Sequence, residues 1–102
     1  MAKKRERTER RARERELRKL VRDRERLASF EPGGSAERPI TVDSPAVIEV
    51  RVRSLTCPQC TGTYKLNEHT APSSGLREVL VTCTQCHVSR SLWFRLGSSE
   101  PN

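Results

Sequence analysis

Apolar and aromatic residues are scarce in this chain of 102 residues. Only 33% of the residues are hydrophobic, and the aromatic residues are one Trp, one Tyr and two Phe. A domain this poor in apolar surface usually needs a covalent or metal crosslink in addition to its core. No segment approaches the roughly 20 apolar residues of a membrane-spanning helix, and no apolar stretch follows the basic start of the chain, as it would in a secretory signal. We therefore expect a cytoplasmic protein that has no membrane segment.

Recognisable catalytic arrangements are missing as well. The sequence has no glycine loop of the phosphate-binding type, no paired carboxylates and no Ser/His/Asp set. The two histidines are His69, which lies beside Glu68 in a polar stretch, and His87, which follows a cysteine. We expect His69 to be solvated and His87 to be a turn residue, so the sequence predicts a protein that is not an enzyme.

The four cysteines form two Cys-x-x-Cys pairs, Cys57/Cys60 and Cys83/Cys86, with 22 residues between the pairs. A two-residue gap lets both sulfurs of a tight turn face one point, and two such turns supply the four thiolates that Zn²⁺ binds tetrahedrally. We predict one structural Zn²⁺ on these four cysteines, because metal binding also supplies the folding energy that a thin core lacks. Disulfides, iron and free thiols are the alternatives, and reducing conditions favour a metal over disulfides. His87 could also replace Cys86 as a ligand.

Strands are predicted on both sides of each cysteine turn. Residues 47–55 alternate apolar and charged side chains, which indicates a half-buried strand that leads into the first turn. The other predicted strands are residues 40–42, 64–66, 78–82 and 88–96. The polar segment 67–75 is predicted to be a loop.

This order of strands and turns resembles the zinc ribbon, in which a small antiparallel sheet joins two metal-binding hairpin turns. The resemblance covers about residues 47–96 and assigns the ligand role to the four cysteines, but it implies no particular function. We thus predict a small β-rich zinc ribbon preceded by a charged N-terminal α-helix.

The first turn departs from the ribbon pattern in one respect. Ribbons commonly have glycine after the second cysteine of each turn, where φ is often positive. Thr61 and His87 occupy these positions here, and Gly62 comes one residue late. Because β-branched residues tolerate positive φ poorly, we expect the first turn either to differ in shape or to be strained.

Positive charge is concentrated at the start of the chain. Residues 1–31 contain 13 Lys/Arg and 7 Asp/Glu, whereas residues 32–102 contain 7 and 6. Good helix formers dominate the first segment, and acid–base pairs at i,i+4, such as Glu6/Arg10 and Glu9/Arg13, should support a helix. The predicted organisation is a basic helical arm (1–31), a flexible linker (32–39), a zinc-ribbon domain (40–97) and a disordered tail (98–102).

A short apolar stripe interrupts the charge of the arm. It consists of Leu17, Leu20, Val21, Leu27 and Ala28, which lie roughly on one helix face. The stripe is too short for a self-sufficient coiled coil. We expect it to pack on the zinc module, and a weak homodimer through the arm is the alternative.

The positively charged arm is the part of the chain that is best suited to bind a polyanion. We predict association with nucleic acid, or with an acidic ribonucleoprotein or transcription assembly, through contacts that are largely independent of sequence. The candidate contact residues are Arg5, Arg7, Arg10, Arg11, Arg13, Arg15, Arg18 and Lys19 on the arm, with Trp93 and Arg95 in the last strand. Trp93 could stack on bases, although we favour its covering one sheet face beneath the arm.

Three other interpretations remain open for the chain as a whole. The arm could be a solvated helix that has no partner. The Leu17/Leu20/Val21/Leu27 face could dock on another protein, which would make the chain an adaptor. A rubredoxin-like iron protein would use the same cysteine pattern, but rubredoxins are typically acidic and rich in aromatic residues, unlike this chain.

Overall fold

The computed structural model describes residues 2–97, and the side chains of residues 6–97. The elements in chain order are α1 (Ala2–Ala28), β1 (Ile40–Val42), α2 (Pro45–Ser54), β2 (Tyr64–Ser73), β3 (Leu76–Cys83) and β4 (Ser89–Leu96). The protein is a small β-rich fold in which an N-terminal helix precedes one four-stranded mixed sheet that carries a cluster of four cysteines. The predicted tail, residues 98–102, lies outside the described residues.

The strand order in the sheet is β1-β4-β3-β2. β2 pairs with β3 and β3 with β4, both antiparallel, as the sequence predicts. β1 adds a parallel pairing with β4, in which Ile40 lies opposite Phe94, so the sheet is mixed rather than purely antiparallel. The core lies on one sheet face, where Val79, Val81 and Phe94 are fully buried.

The predicted strand at residues 47–55 is wrong, because this segment forms α2. Ser44 is the N-cap residue and Pro45 begins the helix, where a proline loses no hydrogen bond. Ile48 and Val52 are 0% and 1% exposed, whereas Val50 between them is 64% exposed. Spacing of four residues places two side chains on one helix face, so α2 packs this pair against the sheet and turns Val50 to solvent.

The predicted loop at residues 67–75 is also wrong. β2 continues through most of this segment to Ser73, with irregular register between Leu66 and Glu68 and between Thr70 and Ser73. β2 is an edge strand, and an edge strand can be polar and can hold a proline at a bulge without losing a pairing bond. The chain reverses only at Gly75, where φ is 77°.

α1 confirms the predicted arm helix and is 27 residues long. Its predicted i,i+4 ion pairs do not form: among residues 6–97, the ion pairs are Glu49–Arg53 and Glu25–Arg90. After α1, Gly33 donates its N–H to the Arg38 carbonyl at 2.6 Å and accepts the Trp93 N–H at 2.8 Å. The segment between α1 and β1 is thus attached to β4 by the backbone of Gly33.

Candidate metal centre and basic surface

The two cysteine turns have the same backbone geometry. In the first, Thr61 N–H donates to the Cys57 carbonyl at 2.7 Å, and in the second, His87 N–H donates to the Cys83 carbonyl at 3.1 Å. Matching amides in the two turns also point at a sulfur: Gln59 N–H donates to Cys57 Sγ and Gln85 N–H to Cys83 Sγ, both at 3.4 Å. Hydrogen bonds to a thiolate favour its charged form, so both turns are shaped to hold negative sulfur.

The strands bring the four sulfurs to one point, with all sulfurs within 4.8 Å of one another. Cys57 Sγ lies 3.7 Å from Cys86 Sγ, and Cys60 Sγ lies 3.3 Å from Cys83 Sγ. Cys57 and Cys83 are buried in the core, while Cys86 is exposed. All four are free thiols in this structure, and their separations exceed the roughly 2.05 Å of a disulfide bond.

This donor set fits a tetrahedral metal ion. In a tetrahedron with metal–sulfur bonds of about 2.3 Å, neighbouring sulfurs are about 3.8 Å apart. The observed separations of 3.3 and 3.7 Å are close to that value. The four cysteines are therefore positioned to bind a metal ion, in an arrangement compatible with a zinc-ribbon-like site.

The pKa values of two of the thiols are shifted in opposite directions. Desolvation raises the pKa of Cys83, but the amides of Cys86 and Gln85, with the neighbouring thiols, outweigh it and lower that pKa to about 6. At Cys86, the Val88 amide lowers the pKa, but desolvation and hydrogen bonds to the other three sulfurs raise it to about 12. The thiolate form is thus favoured at Cys83 and disfavoured at Cys86, and a cation between the two sulfurs would favour the thiolate form of both.

The first turn has the same shape as the second and is strained at Thr61. Thr61 has φ of 63° and His87 has φ of 64°, a left-handed conformation that is unfavourable for a β-branched residue. Gly62 is required for a different reason, because a Cβ there would lie 2.9 Å from Cys83 Sγ and 2.7 Å from Gln85 Oε1. The displaced glycine thus allows the second turn to approach the first.

α1 reaches this centre through Gln59, at the tip of the first turn. The Gln59 side-chain amide donates to the Val21 carbonyl at 2.9 Å and to Glu25 Oε2 at 2.7 Å. Arg24 Nη1 donates to the Gln59 carbonyl at 3.1 Å. We call these three hydrogen bonds the Gln59 contacts. None of the four residues is among the predicted metal ligands or nucleic-acid contacts, although Val21 belongs to the predicted apolar stripe.

Glu25 also binds Arg90, a β4 side chain that is only 10% exposed. The Arg90 guanidinium lies 5.8 Å from the centre of the Tyr64 ring. Tyr64 is buried, and desolvation raises the pKa of its phenol. The C-terminal half of α1 is therefore attached to the sheet face that carries the core.

Six arginines of α1 follow one another at intervals of three or four residues. A helix has 3.6 residues per turn, so such residues share one side of α1. We call this set the basic ridge: Arg7, Arg11, Arg15, Arg18, Arg22 and Arg26. All six side chains are exposed, and none forms an ion pair within the part of the chain that the structure describes.

Most acidic residues of α1 lie away from the basic ridge. Glu14 and Glu25 border it, and the Glu25 carboxylate is bound to Arg90 and Gln59. By helical geometry, Glu9, Glu16 and Asp23 project from other sides of the helix. The ridge consequently presents a stretch of positive charge about 28 Å long, at 1.5 Å per residue.

The structure divides the predicted nucleic-acid contacts between two surfaces. Arg7, Arg11, Arg15 and Arg18 lie on the ridge, Lys19 lies beside it, and Arg10 and Arg13 lie outside it; Arg22 and Arg26 belong to the ridge but were not predicted. Arg5 lies outside the described side chains. Helical spacing alone could have revealed the complete ridge.

Trp93 and Arg95 lie on the sheet face opposite the core, as the alternation of β4 requires. The expectation that Trp93 lies beneath the arm is wrong, because the hydrogen bonds of α1 lead to Gln59 and to Arg90 on the core side. Trp93 is half-buried and Arg95 exposed. These two residues therefore do not extend the basic ridge.

The apolar stripe does not pack on the module as predicted. Leu17, Leu20, Val21 and Leu27 are 62%, 43%, 45% and 67% exposed. A cleft of about 360 Å³ remains between the end of α1, the first cysteine turn and β4. The helix is consequently held by polar contacts, and the leucines stay open to solvent.

The fold and site together define a small β-rich module with a candidate metal centre and a projecting basic helix. Comparisons of the chain with protein-family models, with curated proteins and with solved structures found no match. Among the described residues, no helix combines the length and the apolar character needed to cross a membrane.

Proposed function

We propose that this protein is a zinc-ribbon protein without catalytic activity that binds the phosphate backbone of nucleic acid through the basic ridge of α1. The observation that carries the proposal is the ridge itself, six exposed and unpaired arginines on one side of a helix. Like charges at i,i+4 destabilise an isolated helix. A line of phosphates would remove that repulsion, which makes a polyanion the natural partner.

The metal in this proposal is one structural Zn²⁺ on Cys57, Cys60, Cys83 and Cys86. Four thiolates complete a tetrahedron and leave no open position for a substrate or water, so a structural role fits them. An absorbance spectrum of the purified protein separates the alternatives, because ferric thiolate is red and zinc thiolate is colourless. A red protein that retains iron would favour the rubredoxin-like interpretation instead.

The geometry of the ridge favours the backbone over base edges. Its cations are about 6 Å apart along the helix axis, and each can meet a phosphate without reading a base. Binding of this kind is largely independent of sequence and weakens steeply with salt. Six contacts would give a slope of log K against log salt of about −5 on duplex DNA, or an affinity loss on the order of 10³ between 50 and 200 mM salt.

The test is salt-dependent binding of the full chain to duplex DNA, duplex RNA and single strands, compared with a chain that lacks residues 1–31. We expect affinity to fall steeply with salt and to disappear with the arm. Absence of binding in both chains at 50 mM salt would contradict the proposal.

Two double variants distinguish the effect of the basic ridge on binding from the effect of net charge alone. Arg11→Gln with Arg15→Gln removes two ridge cations, and Arg10→Gln with Arg13→Gln removes the same charge from other sides of the same segment. We expect the ridge variant to reduce the salt slope by nearly 2, and the control by less than half as much. Equal reductions would show that net charge, not the ridge, determines binding.

A second candidate function is a protein-interaction adaptor. The exposed Leu17, Leu20 and Leu27 favour it, since three leucines on one helix side seldom remain in water without a partner. Affinity for an acidic protein that falls on Leu17→Ser with Leu20→Ser, but not on the ridge double variant, would support this role over nucleic-acid binding.

A further inference from the structure

The attachment of α1 to the rest of the molecule is concentrated at the first cysteine turn. The Gln59 contacts join the turn to Val21, Arg24 and Glu25, at distances between 2.7 and 3.1 Å. The Glu25–Arg90 ion pair is the neighbouring attachment. The open cleft and the exposed leucines leave little apolar contact to fix the angle between helix and sheet.

Gln59 stands between two candidate metal ligands in sequence, Cys57 and Cys60. Its own N–H donates to Cys57 Sγ at 3.4 Å, and a hydrogen bond to a metal-bound thiolate is stronger than one to a neutral thiol. A metal ion bound to Cys57 and Cys60 would therefore restrict the conformation of the turn and, with it, the position of the Gln59 side chain.

The second cysteine turn provides an internal comparison. Gln85 occupies the position equivalent to Gln59, and its N–H donates to Cys83 Sγ at the same 3.4 Å. Its side chain is exposed and makes no hydrogen bond with any residue of the range 6–97. The two turns are alike as metal turns, but only the first one contacts α1.

We propose that Gln59 couples the metal centre to the basic helix, so that metal occupancy fixes the orientation of α1 relative to the sheet and metal loss frees the helix. This coupling sets the orientation of the basic ridge. The coupling itself is independent of the proposed function, and only its effect on nucleic-acid binding rests on that function. By linkage, the coupling is reciprocal: attachment of α1 must in turn strengthen metal binding.

The first experiment measures helix orientation in the full chain loaded with Zn²⁺, by residual dipolar couplings of backbone amides. In the wild type we expect one alignment tensor to describe both α1 and β2–β4. Gln59→Ala should reduce the α1 couplings at least twofold while the sheet couplings stay unchanged. Gln85→Ala is the matched control and should behave like the wild type.

The second experiment tests reciprocity from the helix side, where no residue of the metal turn is altered. Arg24→Ala with Glu25→Ala removes two partners of Gln59 and the Glu25–Arg90 ion pair, and so detaches α1, whereas Arg13→Ala with Glu16→Ala removes the same charges from an exposed part of α1. Competition with a chromophoric chelator should show at least a fivefold loss of Zn²⁺ affinity in the first variant and none in the second.

The proposal is overturned if Gln59→Ala leaves the α1 couplings unchanged, if Gln85→Ala loosens the helix equally, or if both helix variants bind Zn²⁺ alike. None of these measurements involves nucleic acid. Loss of the dipolar couplings in Gln59→Ala together with no nucleic-acid binding would support the coupling while rejecting the proposed function.

Discussion

The assignment of α2 as a helix can be tested with three alanine substitutions in one segment. Ile48 and Val52 are buried against the sheet, and Val50 is 64% exposed. Removal of a fully buried Ile side chain costs about 2–5 kcal/mol, and removal of a buried Val side chain about 2 kcal/mol. Val50→Ala should change the free energy of unfolding by no more than about 0.5 kcal/mol, because alanine also has the higher helix propensity.

The measurement is thermal unfolding of each variant at one saturating Zn²⁺ concentration, since bound ligand itself shifts the apparent stability. For a domain of this size, 1 kcal/mol shifts the midpoint by roughly 4–8 °C. We expect clear losses for Ile48→Ala and Val52→Ala and almost none for Val50→Ala. In a strand, residues 48, 50 and 52 would share one face, so an equal loss at Val50 and Val52 would refute the helix.

The metal centre gives two further predictions. Cys60→Ser or Cys83→Ser should abolish metal binding and unfold the module, because structural Zn²⁺ contributes on the order of 10 kcal/mol to folding; a variant that still melts cooperatively would count against a structural metal. Thr61→Gly should raise the stability by about 1 kcal/mol, because it relieves a left-handed β-branched residue. Thr56→Gly, at a position without positive φ, should lower stability instead, and a loss in both variants would disprove strain at Thr61.

The cluster of candidate metal ligands could be predicted from sequence because two Cys-x-x-Cys pairs at this spacing have few other uses. Two Cys-x-x-Cys turns must each place two sulfurs at one point, and the strand that follows the second turn is predicted with nearly correct bounds. The arm helix could also be predicted from sequence, because good helix formers fill it without interruption. These predictions depend on local chemistry, which a sequence contains directly.

The predictions for α2 and β2 are wrong because local sequence allows two structures in each segment, helix or strand in α2 and strand or loop in β2. Packing in the folded chain decides between them. The series Ile48, Val50, Val52 satisfies a strand period, and Ile48/Val52 alone satisfies a helix period. The Ser44-Pro45 pair was the signal for a helix start. β2 lacked any apolar alternation beyond Leu66, because an edge strand with one open face can be almost wholly polar.

The contact between Gln59 and α1 lay beyond sequence reasoning altogether. Gln59 and Gln85 stand in matching turns, and nothing in either motif distinguishes the one that contacts the helix. The difference depends on where the polypeptide places Val21 and Glu25, more than 30 residues before Gln59. Long-range polar contacts of this kind become visible only in the folded chain.

A free peptide with the charge of the arm would also bind a polyanion, so the role of the folded module in binding needs an explanation. A peptide must lose conformational freedom on binding, and a prefolded helix in a fixed orientation loses less. Cys57 and Cys83 are at once core residues and candidate ligands, so a metal ion bound at the cluster would join the core and the first turn into one continuous structure. Gln59 extends that structure to α1. In our interpretation the metal centre therefore contributes the orientation of the charge, while the arginines contribute the charge itself.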